Sequence, residues 1–234
     1  MKIGLFADAH YCDKETTCSG TRFPRKSFGK IKNAMEKFRG CDLVISLGDL
    51  VDDCDDTEKN IEKIKELTEL IRSYGIPFVS LMGNHDYQNF TRSEFDTYTG
   101  GAYPPFSMPF GENTLVFLDA NFYPDGTAYS RGNVDWKDSN LPENQLEALK
   151  KLLREADGDV YIFLHQNLDP EVQEWHIIQN AAQIRELIGN SGKVKKVVQG
   201  HYHEGHDIVI DGVEYHTLRA MCEVEEDYCE IMEV

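Results

Sequence analysis

The sequence predicts an α/β fold. Short apolar runs at residues 3–7, 43–47, 78–82, 160–164 and 194–198 are separated by longer stretches, several of them amphipathic with helical period. That alternation is the pattern of strands joined by helices. Each run also ends in acid, amide or imidazole: Asp8 and His10, Asp49, Asn84 and His85, His165, His201 and His203. The carboxyl ends of strands are where open α/β sheets present side chains to a ligand. Five such ends suggest one polar site drawn from the whole chain, and so many carboxylates and imidazoles point to a metal.

In order, residues 2–7 are the first strand. A polar loop over 11–21 follows, and Pro24 opens a helix with Phe28, Ile31, Met35 and Phe38 on one face. The second strand stops at Gly48 and delivers Asp49. Asp52, Asp53, Asp55 and Asp56 crowd the next loop, where Asp56 or Thr57 caps a helix bearing Ile61, Ile64, Leu67 and Leu70. Gly75 and Pro77 end that helix and start the third strand. From 87 to 112 aromatics, Gly100-Gly101, Pro104-Pro105 and Pro109 read as a loop-rich insertion beside the site, where specificity is often placed. Residues 113–118 are a strand. A second irregular stretch over 119–140 carries Tyr123, Tyr129 and Trp136. Pro142 opens a helix with Leu146, Leu149, Leu152 and Leu153, the strand at 160–164 follows, and 181–188 is a short helix. Segments 206–210 and 213–218, joined at Asp211-Gly212, form a hairpin, and 228–234 is an edge strand. No repeat or linker divides the chain, so residues 1–234 read as one domain.

The 234 residues are 41% hydrophobic, enough for one sizeable core. With 41 acidic against 24 basic residues the formal charge is −17, which makes nucleic acid an unlikely partner, since such binding relies on clustered Lys and Arg. Met1-Lys2 runs straight into a strand and no apolar run approaches membrane-spanning length, so a cytoplasmic protein is expected. The six cysteines have no Cys-x-x-Cys spacing and read as reduced thiols.

Asp8-Ala9-His10 puts two ligand side chains on one side of an extended segment, and His201-Tyr202-His203 repeats the spacing. The latter pair could give one imidazole to each of two metals. The two carboxylate oxygens of Asp49 could bridge ions about 3.5–4 Å apart. Asn84 adds an amide oxygen and His165 another imidazole. Nitrogen and oxygen donors without thiolate favour Mn, Fe or Zn over Ca. Alone, an Asp-x-His is ordinary loop sequence and Gly-Asn-His-Asp fits a turn. Together at five strand ends they make a site.

Asp8-x-His10, Gly48-Asp49-x-x-Asp52, Gly83-Asn84-His85-Asp86, His165 and Gly200-His201-x-His203 resemble the full signature of the calcineurin-like metallophosphoesterases, in order and over residues 8–203. The resemblance implies a four-layer αββα sandwich of two mixed β-sheets flanked by helices. It implies two divalent or trivalent ions: one on Asp8, His10, Asp49 and His203, the other on Asp49, Asn84, His165 and His201. It also implies a metal-bridging hydroxide attacking phosphorus, with His85 near the leaving group. Asp52 then orients His85 or a ligand by hydrogen bonding. Asp86 is left unassigned, with stabilisation of the turn as one option.

The protein Ser/Thr phosphatase branch is disfavoured, because Asp52-Asp53-Cys54 and Asp86 stand where that branch has Asp-Arg-Gly and Glu. The superfamily's nucleases are disfavoured by charge. The basic island Thr21 to Ser27, with Leu141 to Leu146 and Gly200 to Gly205, is similar to the Mn-dependent ADP-ribose/CDP-alcohol diphosphatase group, although that group often carries Gln where His10 stands. On that likeness Arg22 and Arg25 could bind a second phosphate, although the same charges also fit the ordinary start of a surface helix, and Tyr87, Tyr123 or Tyr202 could stack on a base or shape the pocket. The expected function is hydrolysis of a phosphodiester or diphosphate in a small nucleotide-like substrate. A phosphomonoesterase and a non-catalytic scaffold, as in the retromer subunit of this fold, are the alternatives.

Overall fold

The computed structural model describes residues 1–101, 104–223, 225 and 228–234. A four-stranded sheet has the order β10-β1-β2-β3, formed by β1 (Lys2–Phe6), β2 (Leu43–Ser46), β3 (Phe78–Ser80) and β10 (Glu230–Glu233). The six-stranded sheet runs β4-β5-β6-β7-β9-β8, with β4 (Phe106–Phe110), β5 (Asn113–Phe117), β6 (Val160–Phe163), β7 (Val194–Gln199), β8 (His206–Ile210) and β9 (Val213–Thr217). Strands β1 to β3 are parallel to one another, as are β5, β6, β7 and β9, while β10, β4 and β8 pair antiparallel at edges. Both sheets are therefore mixed.

Period-two alternation decides which layer each strand residue faces. Val44 packs with α1 (Ser27–Lys37) and α2 (Thr57–Arg72) through Ile31, Met35, Ile64 and Leu67. Its neighbours Leu43 and Ile45 turn the other way and meet Leu115, Phe117 and Phe163 of the second sheet. Val116 and Ile162 face outward again, onto Leu146, Leu149, Ile184 and Ile188 of α5 (Glu143–Glu155) and α6 (Ala181–Ser191). Three apolar clusters thus fill three interfaces, giving helix, sheet, sheet and helix in layers. Each buried side chain of this kind contributes about 1.5–3 kcal/mol relative to exposure, so the strand ends that carry the site are firmly held.

The local signals act as chemistry requires. The Asp56 side chain accepts hydrogen bonds from the Glu58 and Lys59 amides at 2.8 and 3.2 Å, capping α2. The β8–β9 hairpin turns at Asp211 and Gly212, both with positive φ (51° and 80°). One expectation changes. Residues 87–112 are not mainly loop: α3 (Asn84–Asn89) extends into the stretch, and α4 (Arg92–Thr99) and β4 follow. The Thr91-x-x-Glu94 capping box starts α4, with the Glu94 amide donating to Thr91 Oγ1 at 3.2 Å and the Thr91 amide donating to Glu94 at 2.7 Å. Ala102 and Tyr103 of that stretch lie outside the described residues. The edge strand expected at 228–234 is shorter, Glu230–Glu233. Among the described residues none of the six cysteines is in a disulfide, as expected of reduced thiols. Among the described residues no helix is long and apolar enough to cross a membrane.

Candidate metal centre

Four of the residues singled out above leave their strands in a left-handed backbone conformation: Asp8 (φ 53°), His10 (46°), Asp49 (52°) and His201 (66°). Such conformations cost of order 1–3 kcal/mol each for non-glycine residues and persist where surroundings impose them. Here they turn side chains from successive strand ends toward one point. Close backbone approach is part of the same arrangement. A Cβ on Gly83 would lie 2.0 Å from Asp49 Oδ1, and one on Gly48, at φ 106°, would lie 2.8 Å from His165 Nδ1. Only glycine lets these two loops and the His165 ring share the space.

The Asp49 carboxylate stands at the middle. Its Oδ1 accepts the His85 amide at 2.8 Å, which leaves Oδ2 facing His10 Nε2 at 3.4 Å and His165 Nε2 at 3.5 Å. On the His10 side are Asp8, with Oδ1 3.9 Å from His10 Nε2 and 3.5 Å from His203 Nε2. On the His165 side are Asn84, with Oδ1 3.2 Å from His165 Nε2, and the His201 ring, 4.9 Å from that of His165. Asp8, Asp49 and His165 offer ligand atoms all within 4.8 Å of one another. Asp49 thus has His10, Asp8 and His203 on one side and His165, Asn84 and His201 on the other, two candidate half-sites around one carboxylate.

The donors fit cations. His165 Nδ1–H donates to the Leu47 carbonyl at 2.8 Å, so its Nε2 turns a lone pair toward the oxygens of Asn84 and Asp49. Acceptors converge there on acceptors, an arrangement a cation between them would satisfy. Among the described residues Nε2 of His10 and Nε2 of His201 are buried without a hydrogen-bond partner, and burial holds both rings well below the usual imidazole range, with Arg22 adding to the effect on His10 and His165 to that on His201. Neutral imidazole is the form that binds a metal. His203 is different: although burial opposes it, hydrogen bonds to Asp8 and Glu223 push it up to about 9. Burial would raise Asp8, but His203 holds it below the usual carboxylate value. Positive charge is what these acids favour.

A family profile described as calcineurin-like phosphoesterase matches residues 1–205. The chain belongs to the calcineurin-like phosphoesterase family. Haemophilus influenzae 3′,5′-cyclic adenosine monophosphate phosphodiesterase CpdA is 24% identical over 232 residues, covering 95% of this chain and 77% of that protein. The Escherichia coli protein of the same name is 27% identical over 178 residues, 73% of this chain and 58% of its own length. A dimetal phosphatase from Danio rerio superposes with a TM-score of 0.82 at 19% identity, over 95% of this chain and 88% of its own, which shows the shared fold. The chain is thus a metal-dependent phosphoesterase.

In this phosphoesterase His85 leans over the half-sites. Its Nδ1 hydrogen-bonds Asp52 Oδ1 at 3.1 Å and its Nε2 lies 3.3 Å from Arg22 Nη1. Burial lowers its proton affinity, but Asp49 and Asp52 outweigh that and raise it. Asp52 answers in kind: burial opposes ionisation, and the bond to His85 holds it below the ordinary value. Asp86, left unassigned by the sequence, accepts from the Leu50, Val51 and Gly83 amides at 3.0, 3.2 and 3.0 Å. It ties the Asp49 loop to the Asn84 loop. Burial and the neighbouring Asp49 push its carboxyl up to about 8.

The cleft above this floor has a volume of about 610 Å³ and is lined by Arg22 and Tyr202 among others. Arg25 does not join them. Its side chain is 62% exposed and pairs with Glu15 outside the cleft, because positions 22 and 25 flank Pro24 and diverge. Tyr87 and Tyr123 are not in the lining either: Tyr87 is buried and donates to Asp119 at 2.6 Å, and Tyr123 donates to Asn133 at 3.2 Å. The sequence reading missed Glu223, which accepts from His203 Nδ1 at 2.7 Å, and Trp136 and His176, which line the cleft. Glu223 and Trp136 come from loops and His176 ends a short 3-10 helix, Glu174–His176, and none of the three lies in a motif. The one available signal was two aromatic residues in otherwise polar stretches.

Proposed function

We propose that this chain hydrolyses phosphodiester bonds in a small nucleotide-like substrate, with cyclic nucleotides the class to test first. The observation that carries the reading is one carboxylate oxygen, Asp49 Oδ2, set 3.4 and 3.5 Å from imidazole nitrogens of two half-sites. Asp8, His10, Asp49 and His203 would hold one ion, and Asp49, Asn84, His165 and His201 the other, with Mn, Fe and Zn suited to such donors. Bound there, two cations would neutralise phosphate oxygens and acidify a water. The names of the bacterial relatives add support for a diester.

The remaining roles fall to the chain itself. His85 would deliver a proton from Nε2 to the departing alkoxide, with Asp52 fixing the ring and raising its proton affinity. Arg22, whose guanidinium reaches both His10 and His85, would grip a non-bridging phosphate oxygen. A diphosphate would call for a second cationic side chain, and Arg25 points elsewhere. That favours the diester over ADP-ribose or a CDP-alcohol.

The test is a substrate panel on protein stripped with chelator and reloaded with Mn²⁺, Fe²⁺ or Zn²⁺. Cyclic AMP and a linear dinucleotide should turn over faster than ADP-ribose, and AMP should release no phosphate. Fastest release from AMP would make the protein a phosphomonoesterase. No turnover of any phosphoester by the metal-loaded protein would leave the scaffold reading.

A further inference from the structure

The two ends of the cleft differ in chemistry. Beyond the His10 side stand Arg22 and Glu223, a cation and an acid. Beyond His201 the lining turns aromatic: Trp136, His176 and Tyr202. The Trp136 and His176 ring centroids lie 5.8 and 5.1 Å from that of His201, and His176 lies 5.3 Å from Trp136 and 5.2 Å from Tyr202. None of the three is needed to hold a metal. All are half-buried and turned to a cleft whose floor is charged.

Ring geometry narrows what they are for. His176 meets Trp136 at 45° and His201 meets it at 73°, so neither ring lies flat on the indole. The exposed Lys137 ammonium lies 5.1 Å over Trp136, on a flexible stem that can swing clear. An indole whose centroid lies 5.8 Å from that of His201, not stacked by its own neighbours, offers a flat surface beside the charged floor. A planar heterocycle would complete it, since base–aromatic stacking tolerates any base.

We infer that Trp136, flanked by His176 and Tyr202, seats the base of the substrate, so that the phosphate lies between an aromatic end and the Arg22 end of the cleft. This deepens the diesterase reading and rests on it for the reaction, but not for binding. Trp136 is a specificity residue here and takes no part in bond breaking. The same wall explains how a chain with a net charge of −17 can favour an anionic nucleotide: affinity comes from stacking as well as from charge.

The chain has two tryptophans, so Trp175→Phe leaves Trp136 as the sole indole fluorophore. On that metal-loaded background, AMP should quench the emission and bind about 10–100-fold more tightly than ribose 5-phosphate. Trp136→Ala, followed by calorimetry, should remove that preference while leaving ribose 5-phosphate binding unchanged, and Trp136→Phe should keep most of it. In turnover, Trp136→Ala should lower kcat/KM for cyclic AMP by a similar factor through KM. Ribose 3′,5′-cyclic phosphate, which lacks the base, should be indifferent. Equal affinity of the unsubstituted chain for AMP and ribose 5-phosphate would overturn the base seat. So would equal losses on both ligands in Trp136→Ala and Trp136→Phe. An AMP preference that depends on Trp136 in a protein hydrolysing no diester would uphold the seat and fail the diesterase reading alone.

Discussion

His203 and His216 are equally exposed, at 13% of the side chain, and each stands between two carboxylates. His216 hydrogen-bonds through both nitrogens, Nδ1 to Asp207 and Nε2 to Glu230 at 2.8 Å. It is complete as an imidazolium, and nothing is left for a ligand. His203 donates from Nδ1 to Glu223 at 2.7 Å, while its Nε2 stands 3.5 Å from the fully buried Asp8 and faces a cluster of other donors. A histidine beside acids is therefore not by itself a metal site. What separates the two cases is the company: the Asp8 that faces His203 also faces His10, whose buried Nε2 has no hydrogen-bond partner among the described residues, whereas the acids at His216 face no such group.

The most severe way to break that distinction is Asp49→Asn. The carboxylate common to both half-sites would lose its charge, and several kcal/mol of transition-state stabilisation goes with the cations, a fall in kcat/KM of more than about 10³-fold. Metal content measured by plasma mass spectrometry should fall with it. Full activity with two bound ions per chain would contradict the shared role of Asp49. The same substitution should leave the His216 cluster and its pH response untouched.

Next comes His85→Ala. Its imidazole faces the cleft rather than filling either half-site, so the variant should keep its metal content. Loss of a positioned proton donor costs about 10²–10⁴-fold in rate. The loss should shrink for a nitrophenolate leaving group, which needs no protonation. Equal losses for good and poor leaving groups would move His85 from proton donor to phosphate binder.

Glu223→Gln is milder. Carboxylates that hold a ligand imidazole typically matter by 10–100-fold in metal affinity or activity. Glu223 should behave so, and Glu230→Gln, its counterpart at His216, should not change metal affinity at all. A titration of stripped protein with Mn²⁺ compares the two directly.

The sequence was informative about the floor because its residues lie next to strand ends, where the chain order itself carries the spacing. Asp8, His10, Asn84 and His85 could be read as pairs within two or three residues. The four-layer arrangement followed from the family resemblance, while the alternation of runs gave only α/β. What could not be read were partners brought in from far along the chain. Glu223 reaches His203 across 20 residues, and Asp86 ties loops 35 residues apart. Arg22 and Arg25 looked equivalent, and only tertiary packing sends one inward and the other to Glu15. Helix α4 was missed although Thr91-x-x-Glu94 announced it, because aromatic and proline neighbours masked the signal.

The smallest expected effect belongs to His216, and its sign is fixed. The cluster joins the two sheets, since His216 sits on β9, Asp207 on β8 and Glu230 on β10. Burial lowers the proton affinity of His216, but Glu230 and Asp207 outweigh it and raise the ring above its unfolded value near 6.5. Its contribution is thus fully present below pH 6.5 and is lost as pH rises through the folded value. Glu230 is shifted the other way: burial opposes, but His216 and Tyr228 hold it down from 4.5, so its contribution is lost only as pH falls below that value. Between about pH 4.5 and 6.5 both are in place. With Asp207 78% exposed, the tie is worth about 1 kcal/mol, below the usual range for charged hydrogen bonds. For a chain of this length that is about 2–4 °C in Tm. His216→Gln should therefore melt that much lower than the unsubstituted protein at pH 5.5, and the gap should shrink as the pH is raised above 6.5 and the ring loses its proton. A gap of constant size across that span would mean that packing, not the protonated imidazole, holds β9 to β10.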